Sequence, residues 1–445
     1  MLTEEQNRTL TQVSPGTPMG SLLRRYWMPI GGAAELDVNP VKPIRLLGED
    51  LVLYKDLSGT FGLVDRHCPH RRADLSYGFV EQCGLRCNYH GWLFDENGRC
   101  MEQPFEDTAH PEARFKDKVR TIAYPVKEQR GLLWAYLGPQ PAPLLPNWEP
   151  FSWKDGYAQV FTAKVPCNWF QCQENSIDPV HFEWMHSNWS RRLQGQGGYA
   201  GRHLRIEFRE FEYGFTYHRL VEGMSEDHER WQIGRVALWP NCLGPNQHFE
   251  WRVPVDDENT LLVVWFFTPV PLEQRPYVQS RVPAWEGQVI DPLTGRFVTT
   301  HIDNQDIVAW AGQGRIADRT KEQLGPSDRG VIMMRKRFFD DLARIERGED
   351  PSGLVRDPSK NECIRLPIAD RKFLVDSLPL AEMLADPTLD PRRWMAIAGQ
   401  PAYVREEMLA AMGLDAGGSP TDNAVGVFAA VASAGTKRAA WWTSS

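Results

Sequence analysis

The chain has 445 residues, 42% of them hydrophobic and 24% charged, which is ordinary for a globular protein with two or three cores. A formal net charge of −8 argues against nucleic acid as a partner, because that partner needs a concentrated basic face. The first residues lack a basic segment followed by an apolar one, and charges interrupt every apolar stretch. We therefore expect a cytoplasmic protein without a signal peptide or membrane span.

Short β-type runs follow a helical lead-in over residues 1–26. They lie at residues 44–47, 51–54, 60–64 and 132–137 and are separated by Gly, Asp and Asn turns. This pattern predicts a small antiparallel β domain over residues 27–148. Five prolines in residues 138–150 cannot continue a helix or a central strand, so we place the domain boundary at the end of that stretch.

A second, mixed domain is predicted over residues 149–412. Helical patterns at 169–186, 303–310, 330–347 and 379–384 alternate with strand patterns at 203–208, 215–220, 231–238 and 261–267. The fold class is therefore α+β, with an antiparallel sheet covered by helices in a helix-grip arrangement. Residues 413–445 are rich in Ala, Gly, Ser and Thr and are interpreted as a mobile tail or a subunit-packing arm.

Two short loops in the first domain carry metal-binding residue types. Cys68 and His70 form a Cys-x-His loop, and after sixteen intervening residues Cys87 and His90 form a Cys-x-x-His loop. A Rieske [2Fe-2S] cluster needs two thiolates on one iron and two imidazoles on the other, and each loop supplies one of each. A structural zinc held by the same four residues is the alternative. The other cysteines have no companion at ligand spacing and are interpreted as packing residues: Cys83, Cys100, Cys167, Cys172, Cys242 and Cys363.

A second candidate metal site lies in the second domain, where His181 and His186 are five residues apart and Asp178 precedes them. On a regular helix the two imidazoles would point about 140° apart, too far to share one metal. Pro179 can break the helix and re-aim them. Two histidines and one carboxylate would bind ferrous iron and leave coordination positions open for O2. The carboxylate of such a site has to come from another segment of the chain.

Both sites resemble those of one family. The loops CPHRRADLSYG and LRCNYHGWLFDENG resemble the Rieske domains of bacterial ring-hydroxylating oxygenases, and the segment NxxDPxHxxxxH resembles the mononuclear-iron motif of the same Rieske non-haem iron oxygenases. The N-terminal LTQVSPGTPMGSLLRRYWMPI and the later ADRTKEQLGPSDRGVIMMRKR resemble the phthalate-dioxygenase-like branch. The resemblance covers most of residues 1–345.

The resemblance also implies roles for two aspartates. The third iron ligand is expected on a later helix, and Asp306 is our choice, on a helix face shared with Trp310 and Gln313. The alternatives are Asp303, Asp318 and Asp328. Asp178 fits a helix N-cap, and the resemblance further implies that it bonds a metal histidine and bridges to His90 of the partner subunit.

The implied function is that of a terminal oxygenase subunit using a Rieske cluster, mononuclear Fe(II) and O2 to hydroxylate an aromatic acid of phthalate or phenoxybenzoate type. The alternative is oxidative O-demethylation of a lignin-derived methoxylated aromatic acid, and a third hypothesis is a Rieske electron-transfer protein without oxygenase activity. No GxGxxG opens a βαβ unit, so electrons must come from a separate NAD(P)H-dependent reductase, with or without a ferredoxin. The branch implies homotrimers or hexamers.

Three arginines after the histidine pair are candidates for holding a substrate carboxylate. Arg191, Arg192 and Arg205 can make the charge-assisted hydrogen bonds that such a group needs. The alternative is that they are solvated surface charges.

Overall fold

The structure is a computed structural model that describes residues 1–193, 195–244, 248–369, 371–376, 378–385 and 389–414. Nearly all of the predicted tail at 413–445 lies outside the described residues. The helical lead-in is confirmed as helices α1 (Glu4–Thr11) and α2 (Pro18–Leu23). Thr3 caps α1, since its hydroxyl accepts from the Gln6 N–H at 3.1 Å while the Gln6 amide oxygen accepts from the Thr3 N–H at 2.9 Å.

Residues 28–135 fold into three small antiparallel sheets, with strand orders β1-β11-β10, β2-β3-β4-β9 and β5-β6-β7-β8. The strands are β1 (Met28–Gly32), β2 (Val41–Leu46), β3 (Glu49–Lys55), β4 (Phe61–Asp65), β5 (Phe79–Val80), β6 (Leu85–Arg86), β7 (Leu93–Phe94), β8 (Cys100–Glu102), β9 (Ala123–Tyr124), β10 (Val126–Gln129) and β11 (Leu132–Ala135). Helix α3 (Pro104–Ala109) follows β8. The predicted small antiparallel β domain is confirmed.

Among the described residues after 150, eight strands form one large sheet in the order β13-β14-β15-β16-β17-β18-β12-β19. They are β12 (Gly156–Val165), β13 (His203–Phe211), β14 (Gly214–Val221), β15 (Arg235–Leu238), β16 (Cys242–Leu243), β17 (His248–Pro254), β18 (Thr260–Pro269) and β19 (Ala284–Glu286). Neighbouring strands are antiparallel except β12 and β19. The predicted strand at 231–238 is wrong at its start, because Glu229–Gln232 is helical and the strand begins at Arg235.

Helices cover this sheet, as predicted. They are α4 (Trp169–Asn175), a π-helix (Phe182–Asn188), α5 (Trp189–Leu193), α6 (Glu229–Gln232), α7 (Ile302–Gly312), α8 (Arg329–Glu346), α9 (Arg371–Val375), α10 (Leu380–Ala385) and α11 (Ala402–Ala411). The helical segment predicted over 169–186 is divided, because α4 stops at Asn175 and the chain resumes as the π-helix. None of the described helices is both long and apolar enough to cross a lipid bilayer.

The two faces of the large sheet have different surroundings, because side chains alternate along each strand. On one face, Trp251 packs edge-on against Trp134 of β11, with ring centroids 5.1 Å apart. On the other face, the buried pair Glu250 and Arg252 lies under α7, where the Arg252 guanidinium is 5.3 Å from the centre of the Trp310 ring. The large sheet therefore joins the small sheets through an apolar core and presents buried charges to α7.

Candidate metal centres

The two predicted ligand loops have the same backbone hydrogen bonds. In each, the cysteine N–H donates to the carbonyl oxygen five residues later at 2.8 Å, and the cysteine carbonyl accepts from the N–H four residues later at 2.9–3.0 Å. That fourth residue is Arg72 after Cys68 and Gly91 after Cys87, with left-handed φ values of 59° and 76°. Glycine takes this conformation freely, so the glycine of the second loop was visible in the sequence whereas the matching turn at Arg72 was not.

This backbone places thiols inside and imidazoles outside. Cys68 and Cys87 are buried, and the hydrogen bond between their thiols raises the pKa of Cys68 and lowers the pKa of Cys87 to about 6. The exposed rings of His70 and His90 have centroids 4.5 Å apart, and Trp92 stacks on His70 at 4.3 Å. The arrangement therefore offers two sulfur ligands from the buried side of the loops and two imidazoles from the surface.

The spacing of these four residues distinguishes a two-iron cluster from a single zinc ion. Zn–S bonds of about 2.3 Å and Zn–N bonds of about 2.0 Å would keep the ligand atoms of one zinc within about 4.6 Å of each other. Among the described residues, three such atoms lie within 4.8 Å of one another at His181, His186 and Asp306, but not at any three of the loop ligands. The loops fit the wider span of a [2Fe-2S] cluster.

The histidine pair of the second site follows an interruption of the helical structure after α4. The Asp178 carboxylate accepts from the Val180 N–H at 2.8 Å in a turn that includes Pro179, and the π-helix begins at Phe182. Hydrogen bonds in a π-helix connect residues five apart, so His181 and His186 lie on one side, with ring centroids 5.3 Å apart. The break at Pro179 is confirmed, but the π-helix rather than a kink accounts for the spacing.

Asp306 of α7 completes this site. Its Oδ1 lies 3.6 Å from His181 Nε2 and 3.3 Å from His186 Nε2. Burial acts against the charged forms, yet Asp306 raises the pKa of His186, and His186 in turn lowers the pKa of Asp306. Two imidazoles and one carboxylate that converge in this way suit ferrous iron with open positions for O2.

The other aspartates considered for this role lie elsewhere. Asp303 is buried with its Oδ2 3.2 Å from His301 Nδ1. Asp318 is exposed and paired with Lys321 at 2.8 Å. Asp328 accepts from the Gly325 N–H at 2.7 Å. Of the four candidates, the structure brings Asp306 to both histidines.

His181 and His186 each have a different residue next to Nδ1, the ring nitrogen that points away from Asp306. His181 Nδ1 lies 3.5 Å from Asp178 Oδ2. Burial acts against the charge of Asp178, but the nearby His181 imidazole outweighs burial and lowers the pKa of Asp178. His186 Nδ1 lies 3.0 Å from the amide oxygen of the fully buried Gln305. The sequence analysis identified Asp178 and missed Gln305, for which the sequence carries no signal beyond its place beside Asp306.

Two amide side chains, one from the NxxDP motif and one predicted on the face of Asp306, take different positions. Asn175, the asparagine of the NxxDP motif, donates from Nδ2 to Asp306 Oδ1 at 3.3 Å. Gln313 was expected to share the inward face of α7, but it is exposed just beyond the helix and donates to the Ala309 carbonyl at 3.3 Å. Helix α7 ends at Gly312, which is why the periodicity does not extend to Gln313.

Glu183 anchors the π-helix between the two histidines. Its buried carboxylate pairs with the Arg219 guanidinium at 2.9 Å and with His203 Nε2 at 2.8 Å. Burial raises and Arg219 lowers its pKa, and the net effect is a lowered pKa. Arg219 also lies 4.4 Å from the centre of the Phe182 ring. The π-helix is thereby tied to β13 and β14.

The three predicted substrate arginines already have partners. Arg205 is exposed and paired with Glu226 at 2.9 Å and Glu207 at 3.2 Å. Arg191 and Arg192 donate to backbone carbonyls of the loop after α5, and Arg192 lies 5.0 Å from the centre of the Tyr199 ring. A role in substrate binding stays a prediction for all three.

Comparisons with known proteins show which families the chain resembles. The model of the Rieske [2Fe-2S] domain matches residues 26–123, and that of the LigXa C-terminal domain like family matches residues 267–363. The chain is 56% identical to the 5,5'-dehydrodivanillate O-demethylase oxygenase subunit of Sphingobium sp. (strain NBRC 103272 / SYK-6), over 91% of this chain and 95% of the relative. It is 33% identical to the phthalate 4,5-dioxygenase oxygenase subunit of Pseudomonas putida, over 79% and 89%.

A solved structure shares the fold. The reduced complex between oxygenase and ferredoxin in carbazole 1,9a-dioxygenase superposes with a TM-score of 0.52 at 19% identity, covering 75% of this chain and 93% of that one. At this level of identity the likeness concerns the fold alone, and it agrees with the small antiparallel β domain joined to a larger sheet with helices.

Proposed function

Because this chain belongs to the Rieske non-haem iron oxygenases, as a terminal oxygenase component, we propose that it carries out oxidative O-demethylation of a methoxylated aromatic acid. The enzyme uses a Rieske [2Fe-2S] cluster, mononuclear iron and O2. The 56% identity to an O-demethylase subunit, against 33% to a phthalate dioxygenase subunit, carries the proposal. The higher identity favours O-demethylation over the ring hydroxylation expected from the sequence. Both relatives are oxygenase subunits, which argues against a Rieske electron-transfer protein without oxygenase activity.

The substrate we infer is a lignin-derived aromatic acid of the dehydrodivanillate class, which carries methoxyl and carboxylate groups. The balanced reaction consumes the methyl ether, O2, two electrons and two protons and releases a phenol, formaldehyde and water. Iron, when bound, supplies the activation of O2. A role in aromatic catabolism follows from this substrate class.

The ligand assignment we propose follows the geometry of the two sites. Two loops would hold the cluster through Cys68, His70, Cys87 and His90, and the mononuclear iron would bind His181, His186 and Asp306. The last three converge on one buried point, as a facial triad requires.

Electrons would then pass between subunits. The Asp178 side chain lies on the outer side of His181 and is 35% exposed, and the His90 ring is exposed in the Rieske loop. These two exposures support a bridge from Asp178 to His90 of the partner subunit. The arrangement calls for a symmetric ring, so we infer a homotrimer or a hexamer built from trimers.

The first electron donor is inferred to be a separate NAD(P)H-dependent reductase in the cytoplasm, with or without a ferredoxin. The carbazole oxygenase of similar fold was solved with a ferredoxin, which supports such a partner. The sequence itself carries no GxGxxG dinucleotide motif.

The proposal is tested by product analysis. The purified oxygenase, supplied with a reductase and NADH, is incubated with 5,5'-dehydrodivanillate, vanillate or phthalate, and O2 uptake and formaldehyde are measured. We expect formaldehyde in proportion to O2 consumed with a methoxylated acid and no turnover of phthalate. A dihydroxylated phthalate product without formaldehyde from either methoxylated acid would overturn the proposal.

Matched aspartate variants test the iron ligand. Asp306→Ala should abolish both O2 uptake and bound mononuclear iron, whereas Asp318→Ala removes an exposed carboxylate and should change neither. Full turnover by Asp306→Ala would refute the triad.

A further inference from the structure

The two triad histidines are oriented by groups of different charge. His181 faces the Asp178 carboxylate at 3.5 Å, whereas His186 faces the neutral side chain of Gln305 at 3.0 Å. Gln305 is fully buried on α7, directly before Asp306. It therefore touches one proposed iron ligand through its side chain and adjoins another in the chain.

A second hydrogen bond fixes which end of the Gln305 amide meets His186. Gln305 Nε2 donates to the Thr299 carbonyl oxygen at 3.2 Å. A carbonyl oxygen can only accept, so the amide nitrogen must point to Thr299 and the amide oxygen must point to His186. The His186 Nδ1 atom therefore carries a hydrogen and donates it to Gln305.

We propose that Gln305 is a positioning residue that holds His186 in the tautomer whose Nε2 lone pair is free for iron. This inference rests on the metal centre of the proposed function and is independent of the substrate. With the hydrogen on Nδ1, Nε2 presents its lone pair to the point that it shares with Asp306 Oδ1, 3.3 Å away.

The Asp306 carboxylate is a second group that could accept a hydrogen bond from His186. Without Gln305, the opposite tautomer would place an N–H on Nε2, and that hydrogen could be donated to the Asp306 carboxylate at the same 3.3 Å. Such a hydrogen bond inside the triad would occupy the lone pair positions that iron needs. The buried amide oxygen offers the proton an alternative partner on the other side of the ring.

The neutral charge of Gln305 also suits the site. Histidine binds a metal ion in its neutral form, so the two carboxylates of Asp178 and Asp306 would balance the charge of one Fe(II). A carboxylate in place of the amide would keep the acceptor and add a third negative charge. Gln305→Glu keeps an oxygen that can accept the hydrogen bond from His186 Nδ1. Gln305→Met keeps a side chain of similar length and removes that oxygen.

The test measures Fe(II) binding to the full-length, cluster-loaded protein after the mononuclear iron has been removed by a chelator. Gln305→Met should weaken Fe(II) binding about 10–100-fold, the usual effect of losing a partner of a metal-bound histidine. Gln305→Glu should bind Fe(II) within a few-fold of wild type. The electron paramagnetic resonance spectrum of the Fe(II)–nitric oxide adduct should broaden or split in Gln305→Met, because His186 is no longer held in one orientation.

Gln313→Met is the matched control, because it removes an exposed glutamine just beyond the same helix. It should bind Fe(II) like wild type. The visible absorption of the Rieske cluster and the far-ultraviolet circular dichroism spectrum should be unchanged in every variant, so that a loss of Fe(II) binding is not caused by unfolding of either domain. Wild-type Fe(II) affinity in Gln305→Met, or equal losses in Gln305→Met and Gln305→Glu, would overturn the proposal. If the wild-type protein itself binds no Fe(II), the proposed function fails instead.

Discussion

Replacing Glu174 by Gln should destabilise the protein by about 3 kcal/mol. The carboxylate lies 2.6 Å from both Arg319 and Arg335, two buried guanidinium groups. Breaking a buried ion pair costs about 3–5 kcal/mol because the remaining charge loses its partner. Arg335 keeps Glu322, which accepts from its Nη2 at 2.8 Å, so Arg319 alone is left without a carboxylate and the lower end of that range applies.

The pH dependence gives this prediction a sign. Burial alone would raise the pKa of Glu174, but Arg319 and Arg335 outweigh it and lower the pKa below its ordinary value of 4.5. The stabilisation is therefore complete above about pH 4.5 and is lost as the pH falls through the pKa of the folded protein. The difference in unfolding free energy between wild type and Glu174→Gln should be full near neutral pH and shrink in acid.

Urea titrations followed by tryptophan fluorescence measure both effects. In the double variant Glu174→Gln/Arg319→Met, which removes the orphaned charge as well, stability should recover most of the loss. The reasoning would be refuted by a Glu174→Gln protein as stable as wild type, or by a difference that stays constant from neutral pH into acid.

Three further predictions concern the two proposed metal centres. Cys68→Ser should abolish the visible absorption of the cluster, whereas Cys83→Ser, at an exposed cysteine, should leave the spectrum unchanged. Gly84→Ala should destabilise the cluster domain by about 1–3 kcal/mol in thermal unfolding, because φ is +107° and the new Cβ would lie 2.1 Å from the Phe94 carbonyl oxygen. Asp178→Asn should keep its bound iron but slow single-turnover oxidation of the reduced cluster about 10–100-fold, as followed by stopped-flow absorption.

The sequence could predict those features whose contacts join residues that are close together in the chain. The Rieske loops were predictable because each is a tight turn that supplies one cysteine and one histidine within a few residues. The strands followed from their alternation and their turns. Asp306, 120 residues after His186, could be chosen only with the help of the family resemblance, since Asp303 occupies a similar helix face.

The contacts that the sequence could not predict are made between distant segments. Gln305 meets His186 across two helices, and Glu174 joins two arginines more than 140 residues away. Neither pairing leaves a periodic or spacing signal in the chain. The predicted strand at 231–238 failed for a related reason, because Glu229–Gln232 is capped by the His228 side chain and forms a helical turn before the strand starts.

The π-helix carries the two histidines of the proposed iron site. In a regular α-helix His181 and His186 would point about 140° apart, and helices with the wider π turn are rare and short. Glu183 lies between the histidines in the chain, and in this conformation its buried carboxylate reaches Arg219 and His203. These two residues belong to the large sheet and follow the motif by about twenty and thirty positions. The NxxDPxHxxxxH motif supplies the two proposed histidine ligands, and contacts with the sheet hold the π-helix that carries them.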